Sequence, residues 1–180
     1  MEQSLTRFRT DKIDLMQVHN LVDWKTQLKT MRAWRENGRF RYLGITHYTP
    51  SAFDELERVL KAEPLDFLQI PYSIAVRGAE TRILGLAEDL GVAVIANRPF
   101  DGGDLFPKTR GRPLPGWAKD FDCTSWAQFF LKYLLGHPAV TCVIPGTRRP
   151  DYMADNLGTG CGRMPDAATR KRMTALIDGL

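Results

Sequence analysis

An apolar run, Ile13 to Val18, stops at a histidine, His19, followed by an amide, Asn20. A neutral imidazole fixed at a strand end is a rigid hydrogen-bond donor; it can equally be tied up by neighbours on the same rim. The pattern recurs along the chain. Thr46 and His47 close the run that begins at Arg41. Gln69 lies near the end of the run Asp66 to Ile70. Asn97 and Arg98 close the run from Val92, and Thr147 and Arg148 follow the run Ala139 to Ile144. Groups able to donate, accept or carry charge therefore gather at or just past the C-terminal ends of several apolar segments. That distribution belongs to a parallel barrel whose active site collects at one mouth.

The segments between these runs have helical spacing. Trp24, Leu28 and Met31 fall on one face, with Gly38 as a stop. Thr49 is positioned to cap a helix with Pro50 in its first turn and Phe53, Leu56, Val59 and Leu60 as its buried stripe. Ile83, Leu86, Ala87 and Leu90 form a further face, stopped by Gly91. A Gly- and Pro-rich stretch from Pro99 to Asp122 reads as one long loop. Ser125 and Gln128 have capping-box spacing for a helix that runs to about Gly136. Two helical stretches, near Pro150–Leu157 and Asp166–Ile177, finish the chain.

Strand and helix alternate about five times, and the strands are continuously apolar, as in a parallel sheet. A Gly-rich dinucleotide fingerprint after a first strand would favour an open doubly wound sheet; none is present. The expected fold is a partial (β/α)8 barrel in one domain over residues 1–180. A full barrel takes about 250 residues, whereas this sequence has 180. The opening "QSLTRF" reads as the tail of a helix whose preceding strand is missing.

Lys and Arg number 25 against 21 Asp and Glu, a net charge of +4. An excess this small and dispersed gives no reason to expect nucleic acid as a partner. The cysteines, Cys123, Cys142 and Cys161, have no metal-ligand spacing, and with three histidines no metal site is expected. Reduced thiols in a cytoplasmic protein are the economical reading. The polar N-terminus is no signal peptide, and no apolar run approaches the roughly 20 residues of a membrane span.

The stretches "DKIDLMQVHN", "GRFRYLGITHYTPSAFDEL", "LDFLQIPYSI", "GVAVIANRPF", "SWAQFFLKYLL" and "VIPGTRRPDYMADNL" together resemble the aldo-keto reductases, NADP-dependent barrel enzymes that reduce aldehydes and ketones. The resemblance implies the C-terminal part of that barrel, strands four to eight. It also implies that the family's catalytic aspartate, tyrosine and lysine would lie on strands this chain lacks.

On this resemblance His19 is the catalytic imidazole that donates to the carbonyl oxygen as negative charge develops there. The resemblance implies NADP(H) as the cofactor. Thr46, His47 and Gln69 stand where the family holds the nicotinamide carboxamide, with His47 in place of an asparagine. Asn97 stands where a tyrosine often stacks on the nicotinamide, followed by Pro99 and Phe100. Gly102 and Gly103 fall in a loop that passes the pyrophosphate. Gly146, Thr147 and Tyr152 occupy the positions that read the 2′-phosphate, with Arg148 and Arg149 able to supply charge; Asp155 and Asn156 match the pair that reads adenine. Tyr48 and Tyr72 read as packing residues, since a tyrosine near its ordinary pKa of about 10 is a poor acid without a neighbouring cation. His137 reads as a turn residue.

Two functions follow. The first is NADP-dependent reduction of a small carbonyl substrate, with this chain carrying the cofactor half. The alternative is a catalytically inactive nucleotide- or partner-binding remnant of such a barrel. Five strands leave two unpaired edges, so association with a second copy or with a complementary N-terminal fragment is expected.

Overall fold

The computed structural model describes all 180 residues. The five apolar runs become five strands: β1 (Ile13–His19), β2 (Phe40–Thr46), β3 (Phe67–Pro71), β4 (Ala93–Asn97) and β5 (Val140–Val143). They form one sheet in chain order, every neighbouring pair parallel. Parallel neighbours need a crossover, which is usually helical. The helices are α1 (Glu2–Phe8), α2 (Trp24–Glu36), α3 (Phe53–Ala62), α4 (Ile83–Asp89), α5 (Leu105–Thr109), α6 (Trp126–Leu135), α7 (Pro150–Gly158) and α8 (Ala167–Asp178).

The two sheet faces differ. Val18, Ile45, Leu68 and Val94 stand in register across four strands and are almost wholly buried. They pack into one core with Leu28 and Met31 of α2, Leu56 and Val59 of α3, Ile83 and Leu84 of α4, Phe129 and Phe130 of α6, and Met173 and Ile177 of α8. Burying each such side chain is worth about 1.5–3 kcal/mol. The opposite face, which would line a barrel's lumen, is half open. Gln17 and Phe67 are only partly buried there, and Tyr42 is 39% exposed. Gly44 lies between them. A Cβ on it would come within 2.7 Å of the Phe67 carbonyl oxygen and 3.2 Å of the Gln17 side chain, so only glycine lets them close over the strand.

The ladder fixes which backbone groups lack a strand. The His47 N–H donates to the Gln69 carbonyl, the Tyr72 N–H to the Asn97 carbonyl, and the Ile144 N–H to the Ala96 carbonyl. Apart from Ile13 at the start of β1, whose N–H donates to the Arg39 carbonyl, lumen-facing residues thus turn their backbone toward the preceding strand. On β1 no strand precedes, and Leu15 and Gln17 present theirs to an open edge.

Three expectations are corrected. Thr49 precedes a 3₁₀ turn, Pro50–Ala52, and its side chain makes no cap bond; its hydroxyl faces His47 and Ser51 instead. In α4, Leu84 is buried while Leu90 is 47% exposed, because the helix ends at Asp89 before a further turn could bring Leu90 inward. The stretch Pro99 to Asp122 holds α5 and 3₁₀ turns at Asp101–Gly103 and Gly116–Phe121. The capping box at α6 is half formed. The Gln128 N–H donates to the Ser125 hydroxyl at 3.0 Å, but the Gln128 side-chain oxygen accepts from the Thr124 N–H rather than that of Ser125.

Candidate active site

His19, Thr46 and Gln69 stand directly opposite one another at the C-terminal ends of β1, β2 and β3, on the lumen face. Neighbouring strands lie about 4.8 Å apart, so the row spans roughly 10 Å. Thr46 is buried, Gln69 half-buried and His19 exposed. Just after His19 the chain turns through three non-glycine residues with positive φ: Asn20 (53°), Leu21 (55°) and Asp23 (44°). Such conformations cost on the order of 1–3 kcal/mol each and persist where the surroundings over-determine them. Here Leu21 is buried in the core, which holds the turn and with it the end of β1.

His47 and Asn97 form a second group. The His47 Nδ1 accepts from the Thr49 N–H at 3.2 Å, which places the proton of the neutral ring on Nε2. Its ring stacks on Tyr48, with planes 3° apart. Asn97 is buried and donates through Nδ2 to the His47 carbonyl at 3.0 Å; its Oδ1 is buried without a partner. The ends of β2 and β4 are thereby tied across the intervening β3. Pro99 is buried, and Phe100 packs on Phe106 with centroids 4.9 Å apart.

A cleft of about 530 Å³ opens between Phe100, Phe106, Trp126 and Tyr152, with Gly146, Thr147, Ser125, Asp155 and Asn156 completing its wall. Six residues singled out for the cofactor in the sequence meet here: Phe100, Gly146, Thr147, Tyr152, Asp155 and Asn156. Phe106 and Trp126 carried no chemical motif, and only their aromatic character hinted at a wall. Asp155 is already engaged. Its Oδ2 accepts from the Ser125 hydroxyl at 2.6 Å and its Oδ1 from the Gln128 amide at 2.8 Å. The capping spacing of Ser125 and Gln128 was visible in the sequence, but their partner thirty residues away was not. Arg149 makes a two-point contact with Asp151 and lies 4.3 Å from the Tyr152 ring centroid. Its guanidinium and the Asp151 carboxyl hold each other charged, the arginine above and the aspartate below its ordinary pKa. Arg148 is exposed and forms no ion pair, so the two arginines are not equivalent.

Tyr72 is fully buried and tied up away from the open face. Its hydroxyl bonds Glu80 and accepts from Arg170 at 2.6 Å, and the Tyr133 hydroxyl donates to the same Glu80 oxygen at 2.6 Å. Burial, then the bond to Glu80, pushes the Tyr72 hydroxyl well above the ordinary tyrosine range, and the same causes push Tyr133 up to about 12. Neither serves as a proton donor near neutral pH. His137 is a turn residue, its Nδ1 accepting from the Ala139 N–H. Trp117 packs on Phe121 and Phe129 under the guanidinium of Arg172, closing its loop. Lys132, wholly buried in α6, donates to the carbonyls of Cys161 and Arg163 at 2.7 and 3.0 Å. No three His, Cys, Asp or Glu side chains come together as metal ligands, and no helix is long and apolar enough to cross a membrane.

A one-sided parallel sheet with its polar groups collected at the C-terminal strand ends defines a segment of a (β/α) barrel of the kind that carries enzymes. The model of the aldo/keto reductase family matches residues 1–168, and the chain belongs to that family of oxidoreductases. It is 33% identical over 184 residues to the aldo-keto reductase YhdN of Bacillus subtilis, covering 85% of this chain and 55% of that protein. It is 28% identical to the aldo-keto reductase str7 of Strobilurus tenacellus, covering 93% and 60%. Among solved structures, the holo form of aldo-keto reductase AKR11C1 from Bacillus halodurans superposes with a TM-score of 0.75 at 24% identity, over 97% of this chain and 64% of that one. The thermostable aldo-keto reductase Tm1743, in complex with the inhibitor epalrestat, gives 0.77 at 26% identity, with the same coverage. The chain thus spans little more than half the length of these curated relatives and about two thirds of these structures.

Proposed function

We propose that this chain carries the cofactor half of an NADP-dependent reductase of aldehydes and ketones. The observation that carries the reading is the row His19–Thr46–Gln69, three polar side chains of complementary capability at one height on the open face. When bound, a reduced nicotinamide supplies hydride to a carbonyl carbon. His19 donates a hydrogen bond to the carbonyl oxygen as charge accumulates there, which lowers the barrier most where water is excluded. Thr46 and Gln69 offer a hydroxyl and an amide to the carboxamide, and His47 an Nε2 proton.

The residues present fit a dinucleotide. Gly146 has no heavy atom within 4 Å of where a Cβ would stand, leaving room for a close approach at the cleft. Thr147 and the unpaired Arg148 supply a hydroxyl and a cation for a 2′-phosphate, which supports NADP over NAD. Asn156 offers an amide to the base, while the committed Asp155 positions α6. Cytoplasmic residence is supported by three cysteines that are all free.

A second reading, nucleotide binding without turnover, is favoured by the state of the tyrosines. Tyr72 is sequestered, and Tyr48 is exposed and stacked on His47. One experiment separates the two: NADPH fluorescence titration alongside NADPH oxidation with 4-nitrobenzaldehyde. Turnover that falls on His19→Ala supports reduction. Quenching without turnover selects the second reading, and an absence of both removes the pair.

A further inference from the structure

We propose that a pocket of about 230 Å³ beyond the C-terminal ends of β2, β3 and β4 binds a small zwitterion, a molecule with one carboxylate and one protonated amine on a short chain. The pocket is separate from the surfaces assigned above. It shares no wall residue with the cleft beside Trp126 or with the row His19–Thr46–Gln69. The segment leaving β4 divides the two cavities: Phe100 lines the cleft, whereas Arg98 and Asp101 line the pocket. Drug-sized ligands occupy about 300–1,000 Å³, so this volume limits the occupant to a smaller molecule.

Charge selects the occupant. Arg98 and Asp101 are the only ionic side chains in the wall, one of each sign. Neither joins any of the chain's ion pairs. Arg149 and Asp151, equally close in sequence, do close on each other. The turn between Arg98 and Asp101 sets their positions. Both have positive φ, 50° and 51°, and the Arg98 guanidinium lies against Gly102, where a Cβ would stand 3.1 Å from its Nη2. A lone anion in the pocket would meet the aspartate, and a lone cation the arginine; only a ligand with both signs gains at both. A guanidinium grips a carboxylate through two parallel bonds, and Asp101 is left for the ammonium. Ser73 in the same wall is buried, its oxygen accepting from the Val76 N–H at 3.0 Å, which leaves the hydroxyl proton to donate to the carboxylate. Pro71 and Val76 present apolar surface to the spacer between the two charges.

The test titrates the nitrogen-15-labelled chain and follows its amide chemical shifts. The probes are glycine, β-alanine and 4-aminobutyrate, with butyrate and butylamine as single-charge controls. At least one zwitterion should move the Ser73, Gly102 and Gly103 amides saturably and bind more than ~10-fold more tightly than either control. Arg98→Gln should remove that binding and leave a preference for butylamine over butyrate. Asp101→Asn should remove it and leave the reverse preference. Both variants nearly keep side-chain size, and amides away from the pocket should keep their wild-type shifts. The inference is overturned if no zwitterion moves these amides up to about 100 mM, or if a control binds within ~10-fold of the best zwitterion. Zwitterion binding that survives either substitution overturns it too. No nucleotide enters the measurement, so the outcome is independent of the proposed activity.

Discussion

Replacing Asp155 with alanine removes two acceptors at once. The Ser125 hydroxyl and the Gln128 amide both donate to this carboxylate, at 2.6 and 2.8 Å, and through it the N-terminus of α6 is joined to α7. Hydrogen bonds to a charged group contribute about 1.5–3 kcal/mol each. Asp155 is only half-buried, so the lower end applies, and the pair is worth about 3 kcal/mol. For a domain of this size each kcal/mol moves Tm by about 2–4 °C, which puts Asp155→Ala about 6–12 °C below wild type. Asp155→Asn keeps an acceptor for Gln128 and should lose roughly half as much. Differential scanning calorimetry on the three proteins without nucleotide reads the effect directly. An Asp155→Ala protein melting within about 2 °C of wild type would refute the claim that this carboxylate is a structural bridge, and would return it to a role in ligand binding alone.

Other expectations follow from single contacts. Gly44→Ala should destabilise by about 1–3 kcal/mol, because the new methyl meets a backbone carbonyl that has little room to yield; urea denaturation measures it. Lys132→Met leaves the Cys161 and Arg163 carbonyls without their donor, which should cost about 2 kcal/mol and speed hydrogen exchange around Gly162. Burial alone would raise the Glu80 pKa, but the hydroxyls of Tyr133 and Tyr72 and the Arg170 guanidinium outweigh it, and the carboxyl is held below its ordinary value of 4.5. A depressed folded pKa gives stability that is complete above the unfolded value and is lost as pH falls through the folded one. Wild type should therefore lose stability below about pH 4.5 more steeply than Glu80→Gln, as followed by urea midpoints from pH 6 to pH 3.

Much of the fold could be read from the sequence because a parallel sheet buried under helices demands uninterrupted apolar runs. Val18, Ile45, Leu68 and Val94 each sit inside one, and the register that aligns them is the one that gathers His19, Thr46 and Gln69. Short elements escaped. α5 has five residues with a proline among them, too few for a 3.6-residue period to show. Leu90 fitted the stripe of α4, but the helix stops a residue short of it. The contacts hardest to foresee join distant positions. Arg170 reaches Tyr72 across 98 residues of sequence, and Asp155 meets the start of α6 only because α7 folds back along it. Lys132 interrupts an otherwise apolar helix, and only the fold shows that two carbonyls from a later turn meet it in the interior.

Because spatial order copies chain order from β1 to β5, each of β2 to β5 leaves the ribosome with a neighbour already synthesised, and their assembly can proceed vectorially without waiting for distant sequence. α8 is the exception. Its Arg170 and Asp178 reach back to Glu80 and Arg77, so the final dozen or so residues act as a late clasp. A nascent polypeptide stalled before them would hold its sheet but not its lock.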